Sequence, residues 1–222
     1  MNRIKLFLLL YFTTLLLTSC QNKDIYISDL EKRNVDGNTL LFLNNKLFEG
    51  VFIDRFDNGK LRFEKTVSKG EINGVQKIYF ENGNINEEYF YSDGNKNGYF
   101  NSYYENGKLH GKGFYKNNNY DGLCEWYYKN GQLDNKTTYN NGIENGPYVI
   151  YFENGNLMEE STFVEGKRFG SFKEYYDNGK LKKETTLKGD ELEGSYKHYY
   201  ENGKLMKEEN YENGKLIFEN NE

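Results

Sequence analysis

An Asn-Gly dipeptide ends at Gly59, Gly83, Gly107, Gly131, Gly155, Gly179 and Gly203, each 24 residues after the one before. A second glycine series, Gly74, Gly98, Gly122, Gly146, Gly170 and Gly194, keeps the same period fifteen residues later, with Gly50 one step earlier. The stretch Gly194-Ser195-Tyr196-Lys197-His198-Tyr199-Tyr200-Glu201-Asn202-Gly203-Lys204-Leu205 shows the unit in full. A fixed short period means one supersecondary unit stacked on copies of itself, each touching only its neighbours. Residues 35–49 read as a worn first copy, and the array runs over residues 35–217, about seven repeats, with a polar tail at 218–222.

Asn-Gly between strand-like segments is the strongest short-range hairpin signal, because both central residues of a type I′ turn need positive φ. Composition agrees. The chain of 222 residues has no alanine, which disfavours helices, and 17% aromatics, which disfavours disorder. Counting outward from two-residue turns, Phe56 faces Leu61, Phe80 faces Ile85, and so on to Tyr200 with Leu205. The same parity collects Ile78, Trp126 and Ile150; then Phe52, Phe100, Cys124, Tyr148, Phe172 and Tyr196; then Val67, Tyr91, Tyr115, Tyr139, Phe163, Leu187 and Tyr211. That face is the expected core.

The opposite face places Lys77 across from Glu88, Glu125 from Lys136, Lys173 from Glu184 and Lys197 from Glu208. Asp57–Lys60, Glu105–Lys108, Asp177–Lys180 and Glu201–Lys204 are expected to pair beside the turns, and Arg55–Arg62 alone opposes like charges. Each such pair contributes only about 0.2–1 kcal/mol; together they specify the register. The fold expected is all-β: an elongated single-sheet antiparallel β-hairpin repeat solenoid, roughly 70 Å long for seven units at about 4.8 Å per strand, preceded by a signal-peptide helix.

Residues 1–19 read as an address. A basic start with Arg3 and Lys5 precedes an apolar run from Leu6 to Leu17, too short to span a bilayer and fit for a secretory signal peptide. Leu17-Thr18-Ser19-Cys20 resembles the bacterial lipoprotein cleavage box, which implies cleavage before Cys20, several acyl chains on that residue, and stable anchoring to a membrane without spanning it. Residues 20–34 then form a tether. Gln21 rather than Asp after Cys20 favours the outer membrane of a two-membrane host. Losing residues 1–19 leaves 27 basic against 34 acidic side chains, net −7, which argues against nucleic acid. Cys124 is the other cysteine, so no intramolecular disulfide is expected.

The segment Asn106-Gly107-Lys108-Leu109-His110-Gly111-Lys112-Gly113-Phe114 resembles the core of a MORN repeat (membrane occupation and recognition nexus). The remaining units have the Tyr-Tyr-Glu-Asn-Gly-Lys-Leu form without Gly-x-Gly, so residues 35–217 resemble the bacterial MORN-variant group. The resemblance implies architecture; for activity it implies scaffold or membrane-associated modules, and an antitoxin for some bacterial relatives.

Catalytic chemistry is not expected. His110 and His198 lie almost four repeats apart with no Cys or Ser nucleophile at matching positions. Cys124 occupies a slot held elsewhere by Phe52 or Tyr148, as a small buried hydrophobe would. Asp93-Gly94-Asn95-Lys96-Asn97-Gly98 begins like a calcium loop, but its twelfth position is Tyr104 where a bidentate Glu is needed. No phosphate-cradling loop is present, and neither cofactor nor metal is expected.

One surface feature stands out. Tyr79, Tyr103, Tyr127, Tyr151, Tyr175 and Tyr199 precede the turn aromatics and should point to the charged face, a row of broad, rigid contacts with polar tips. Two outcomes are open: rings packed over neighbouring hairpins, or an exposed strip about 10 Å between rungs. The function expected is a lipid-anchored, non-catalytic scaffold of the bacterial envelope, binding an envelope protein or glycan. The alternatives are an immunity protein that neutralises a toxin, and a cell-wall glycan-binding repeat module, whose shorter period and reliance on Trp this one-Trp chain lacks. Oligomeric state is left open, since bare sheet ends can accept another strand.

Overall fold

The computed structural model describes residues 24–221. The signal-peptide helix, the anchor Cys20 and residues 20–23 of the tether lie outside the described residues. From residue 50 onward the chain is one continuous antiparallel sheet of sixteen strands, from Gly50–Arg55 at one edge to Lys215–Asn221 at the other. Strand follows strand in chain order, so the ladders of this sheet join sequence neighbours. One strand is split, into Asn119–Tyr120 and Gly122–Tyr127, and both pieces pair with Leu109–Lys116.

The two turns of each repeat differ from one another, and the I′ geometry is not at the Asn-Gly series, where the sequence reading puts it. At the 24-residue Asn-Gly series the loop has three residues. Phe56 N–H donates to the carbonyl of Lys60 at 2.9 Å and Gly59 N–H to that of Phe56 at 2.8 Å, and the six later turns repeat both bonds. Only the glycine is left-handed, with φ between 81° and 97° across the series. The type I′ turns are at the opposite end of the hairpins: Asp93-Gly94 (φ 50° and 75°), Asn141-Gly142 (50° and 84°) and Glu165-Gly166 (51° and 79°) have both central residues left-handed. Asp93 is therefore a turn residue, and the calcium-like segment continues as strand Asn95–Tyr103.

The three-residue loop changes the pairing next to it. Tyr79, not Phe80, is opposite Ile85, and Arg55 is opposite Leu61. A bulge then absorbs one residue of the returning strand, which restores the expected parity: Ile78 is opposite Glu87 and Lys77 opposite Glu88. Arg55 and Arg62 consequently do not face each other. Arg62 pairs with Asp54 and Arg55 with Asp24 at 2.8 Å. The four acid–lysine pairs expected beside the turns are not ion pairs; Lys60 and Lys108 instead donate Nζ to backbone carbonyls of the next turn, Asn82 at 2.7 Å and Asn130 at 3.1 Å.

The second glycine series marks another irregularity. Register slips between Lys65 and Val67 opposite Gly74, and between Tyr89 and Tyr91 opposite Gly98. Gly98 has φ 153°, and a Cβ there would stand 2.9 Å from the Phe90 ring. Such bulges bend the strand locally and sharpen its twist. Pro147, which cannot donate to a ladder, follows the bulge glycine Gly146.

Residues 31–47, including most of the worn first copy, form a separate three-stranded sheet of Glu31–Val35, Asn38–Leu43 and Lys46–Leu47. It covers the N-terminal end of the array. Leu41 and Phe48 bury Phe52 and Val67, with Ile25, Leu30, Leu43 and Phe63 around them. Leu41 N–H donates to the Gly70 carbonyl at 2.8 Å and Gly70 N–H to that of Phe48 at 2.9 Å. The described part of the tether is docked too: Ile53 N–H donates to the Ile25 carbonyl at 2.8 Å. At the far end, residues 218–221 of the expected polar tail continue the last strand.

Candidate functional site

Ladder pairing translates the 24-residue period into columns that run the length of the sheet. On the outer face one column reads Glu64, Lys77, Glu88, Asn101, Lys112, Glu125, Lys136, Val149, Glu160, Lys173, Glu184, Lys197, Glu208, each directly opposite the next. The pairs expected within hairpins are thus aligned. Most ion pairs close between hairpins instead: Lys77–Glu64 at 3.2 Å, Lys112–Glu125 at 2.8 Å and Lys173–Glu160 at 3.4 Å, with Lys197–Glu208 at 3.7 Å inside one.

The tyrosine row Tyr79, Tyr103, Tyr127, Tyr151, Tyr175 and Tyr199 is half-buried. Its hydroxyls reach back to the glutamates of that column. Tyr79 donates to Glu64 at 2.8 Å, Tyr175 to Glu160 at 2.8 Å and Tyr199 to Glu184 at 2.6 Å, all fifteen residues upstream, while Tyr127 uses its near neighbour Glu125 at 2.9 Å. Burial first and the carboxylate partner second push the phenols of Tyr175 and Tyr199 up to about 12. The row is therefore neither a free strip nor a hidden layer. The polar tips of Tyr79, Tyr127, Tyr175 and Tyr199 are committed, and the rings of the row stay partly exposed. Farther from the Asn-Gly turns the same face exposes Val51, Phe114, Leu123, Ile143, Val164 and Phe169, which alternation places beside the charged column and which the sequence reading did not gather.

The turn glycines Gly59, Gly83, Gly107, Gly131, Gly155, Gly179 and Gly203 line one ridge. Beside them the asparagines do two things. Asn58 accepts from Lys60 N–H at 2.9 Å and donates Nδ2 to the Glu81 carbonyl of the next turn at 3.1 Å; Asn82, Asn130 and Asn154 do the same with Glu105, Glu153 and Asp177. Tyr104, Tyr128 and Tyr176 donate their hydroxyls to carbonyls of Tyr127, Tyr151 and Tyr199 at 2.7 Å each. The ridge is a hydrogen-bonded ladder from repeat to repeat.

The other face holds the aromatic stripe, alternating large with small. Phe100, Cys124, Tyr148 and Phe172 are separated by Gly113, Thr137 and Ser161, and the small residues let rings from neighbouring strands lie over them. Cys124 is fully buried, and burial pushes its thiol pKa up. A chain of rings surrounds it: Tyr115 and Tyr120 stack at 4.6 Å, Tyr120 and Tyr139 lie at 5.3 Å, and Trp126 and Tyr139 meet edge to face at 6.4 Å. Among the described residues, three clefts open on or beside this face. One is lined by Phe80, Tyr104, His110 and Lys129, with the Tyr104 and His110 rings 4.6 Å apart. The second holds His110, Trp126, Asp134, Tyr139, Glu144 and Tyr148, and the third Arg168, Phe172, Lys183 and Tyr196.

His198 sits beside Lys183 and Lys207; burial first and those lysines second lower its pKa. The two histidines are far apart and neither meets the buried thiol of Cys124. Among the described residues no group of three or more His, Cys, Asp or Glu could hold a metal, and no helix is long and apolar enough to cross a membrane.

Six segments of the chain, 72–93, 96–117, 120–141, 144–165, 170–188 and 192–213, match the MORN repeat variant, and together they make up more than half of its length. Each matched unit is one hairpin centred on an Asn-Gly turn and bounded by the I′ turns. No curated protein matches the chain.

Proposed function

Because the chain belongs to the MORN repeat variant family, we propose that it is a non-catalytic interaction scaffold of a bacterial cell envelope, held on a membrane by lipid on Cys20 and engaging an envelope protein or glycan along its sheet. The observation that carries this reading is the translation of the outer face. Every 24 residues it offers a tyrosine edge beside a column rich in alternating acids and lysines, interrupted at Asn101 and Val149, with an apolar fringe at Phe114 and Leu123. An extended partner meets a tyrosine edge at each rung, so many weak contacts add along its length.

Tethering fits the way the chain enters the fold. Ile25 and Tyr26 dock on the first strand of the array, so the interval from Cys20 to Asp24 reaches at most about 14 Å. A lipid on Cys20 therefore keeps the capped end near the membrane. The acidic balance of the body gives anionic headgroups no purchase on it.

Fractionation of cells expressing the full-length protein tests the anchor: it should partition with membranes and incorporate a palmitate analogue, whereas Cys20→Ser should do neither. Crosslinking in the native host followed by mass spectrometry should recover an envelope partner, and a triple variant with Tyr103, Tyr127 and Tyr151 replaced by Ser should lose it. Retention of the partner by the folded triple variant would remove the outer face from this role.

A further inference from the structure

The repeats of the aromatic face act as controls for one another. At 24-residue intervals the position that points onto this face just after the I′ turn is Ile72, Lys96, Tyr120, Glu144, Arg168 and Leu192. Lys96 places Nζ 3.5 Å from the centre of the Tyr89 ring and 5.0 Å from that of Tyr115. Arg168 places its guanidinium carbon 5.0 Å from the Phe163 ring and 6.0 Å from that of Phe172. In those two repeats the protein supplies a cation to its own rings, the arrangement favoured by the negative faces of aromatic systems.

One period before Arg168 the same position is Glu144, and the rings one period before Phe163 and Phe172 are Tyr139 and Tyr148. The acid stands where two of its five counterparts, Lys96 and Arg168, carry a positive charge. Around it is an open cleft of about 270 Å³ lined by His110, Trp126, Asp134, Tyr139, Glu144 and Tyr148. Among the described residues neither Asp134 nor Glu144 is in an ion pair. Arg168, 5.8 Å from the Tyr148 ring, is committed to Glu159 at 3.0 Å. After burial, Glu144 is the next cause of the raised Tyr139 phenol; at Tyr148 burial and Glu159 come first, and Glu144 and Asp134 add to them, which sets the carboxylates within electrostatic reach of the rings.

We propose that this cleft binds a small organic cation of the quaternary-ammonium type, its charge held by Asp134 and Glu144 and its methyl groups against Trp126, Tyr139 and Tyr148. Asn135 and Thr137 also line the cleft, but a hard metal ion takes about six to eight oxygen ligands, and among the described residues no group of three or more His, Cys, Asp or Glu could hold one. Aromatic walls favour a weakly hydrated alkylammonium over a strongly hydrated primary amine. The site is independent of the lipid anchor and of the outer tyrosine row.

Trp126 is the single tryptophan, so its emission reads occupancy directly in the intact chain. Tetramethylammonium should change that emission saturably, and 2,2-dimethylpropanol, a water-soluble neutral near-isostere with one methyl group replaced by hydroxymethyl, should not. Asp134→Asn and Glu144→Gln should each weaken the apparent affinity about tenfold. Glu144→Lys, which places a tethered ammonium as Lys96 does, should abolish binding while circular dichroism stays unchanged. Phosphatidylcholine vesicles run beside free tetramethylammonium separate a lipid headgroup, which acts from the vesicle, from a soluble ligand, which acts only when free. An equal response to the neutral isostere, unchanged titrations in both carboxamide variants, or a response to chito-oligosaccharides but not to tetramethylammonium would overturn the proposal.

Discussion

Asn130 accepts the amide hydrogen of Gln132 inside its own turn at 2.8 Å and donates to the carbonyl of Glu153 in the next turn at 2.9 Å. The requirement for asparagine every 24 residues therefore rests on its side chain and not on left-handed backbone, which the following glycine alone adopts. That an Asn belongs there is legible in the sequence; why it belongs is not, because its second partner is 23 residues away. Asn202 keeps only the bond within its turn, to Lys204 N–H at 2.9 Å. Asn130→Ala should cost about 1–3 kcal/mol and Asn202→Ala roughly half as much, measured as the shift in urea midpoint at constant slope. Cys124 belongs to the same scale. Its buried thiol should stay unreactive toward a thiol reagent at pH 8 until the chain is unfolded.

At the scale of the hairpin, two irregularities compensate each other. A three-residue loop shifts the pairing at Tyr79, and a bulge shifts it back before Lys77 meets Glu88. Counting from a two-residue turn therefore predicts the distant register and misassigns the two positions nearest the turn. The glycine bulges are equally specific: Gly98→Ala forces a Cβ against the Phe90 ring at a φ that side chains avoid and should destabilise by about 1–3 kcal/mol in the same urea assay. The raised phenols of Tyr175 and Tyr199 set an alkaline limit. Their protonated form is favoured in the fold, so that stabilisation is complete below about pH 10, where free tyrosine begins to ionise, and is lost as pH climbs to about 12. Melting temperature should be flat from pH 7 to 9 and fall beyond 10. Tyr175→Phe, which keeps the ring and deletes the bond to Glu160, should make that fall shallower.

At the scale of the whole molecule, stability is carried by one local interface repeated many times, with a distinct end. Excising residues 146–169 removes one period and joins equivalent strands, so the shortened chain should keep its β circular dichroism and lose little in midpoint. Removing residues 24–47 uncovers Phe52 and Val67; it should loosen the first hairpins before the rest, which appears as a separate early phase in hydrogen exchange.

The chain's own letters settle the 24-residue period, the parity of the two faces and the cross-strand alignment away from the turns, because each follows from counting along one strand and back; which lysine closes on which glutamate they do not settle, since Lys77 and Lys173 turn to the neighbouring hairpin. Membership of the MORN repeat variant family rests on the same local pattern. The tertiary structure decides what depends on the offset between one repeat and the next: the asparagine ladder, the tyrosine hydroxyls bound to glutamates fifteen residues upstream, the cap over Phe52, and the cleft where Glu144 meets Trp126. Those contacts join residues of different hairpins or of the cap and the array, and only the stacking of hairpins through their ladders brings them within bonding distance.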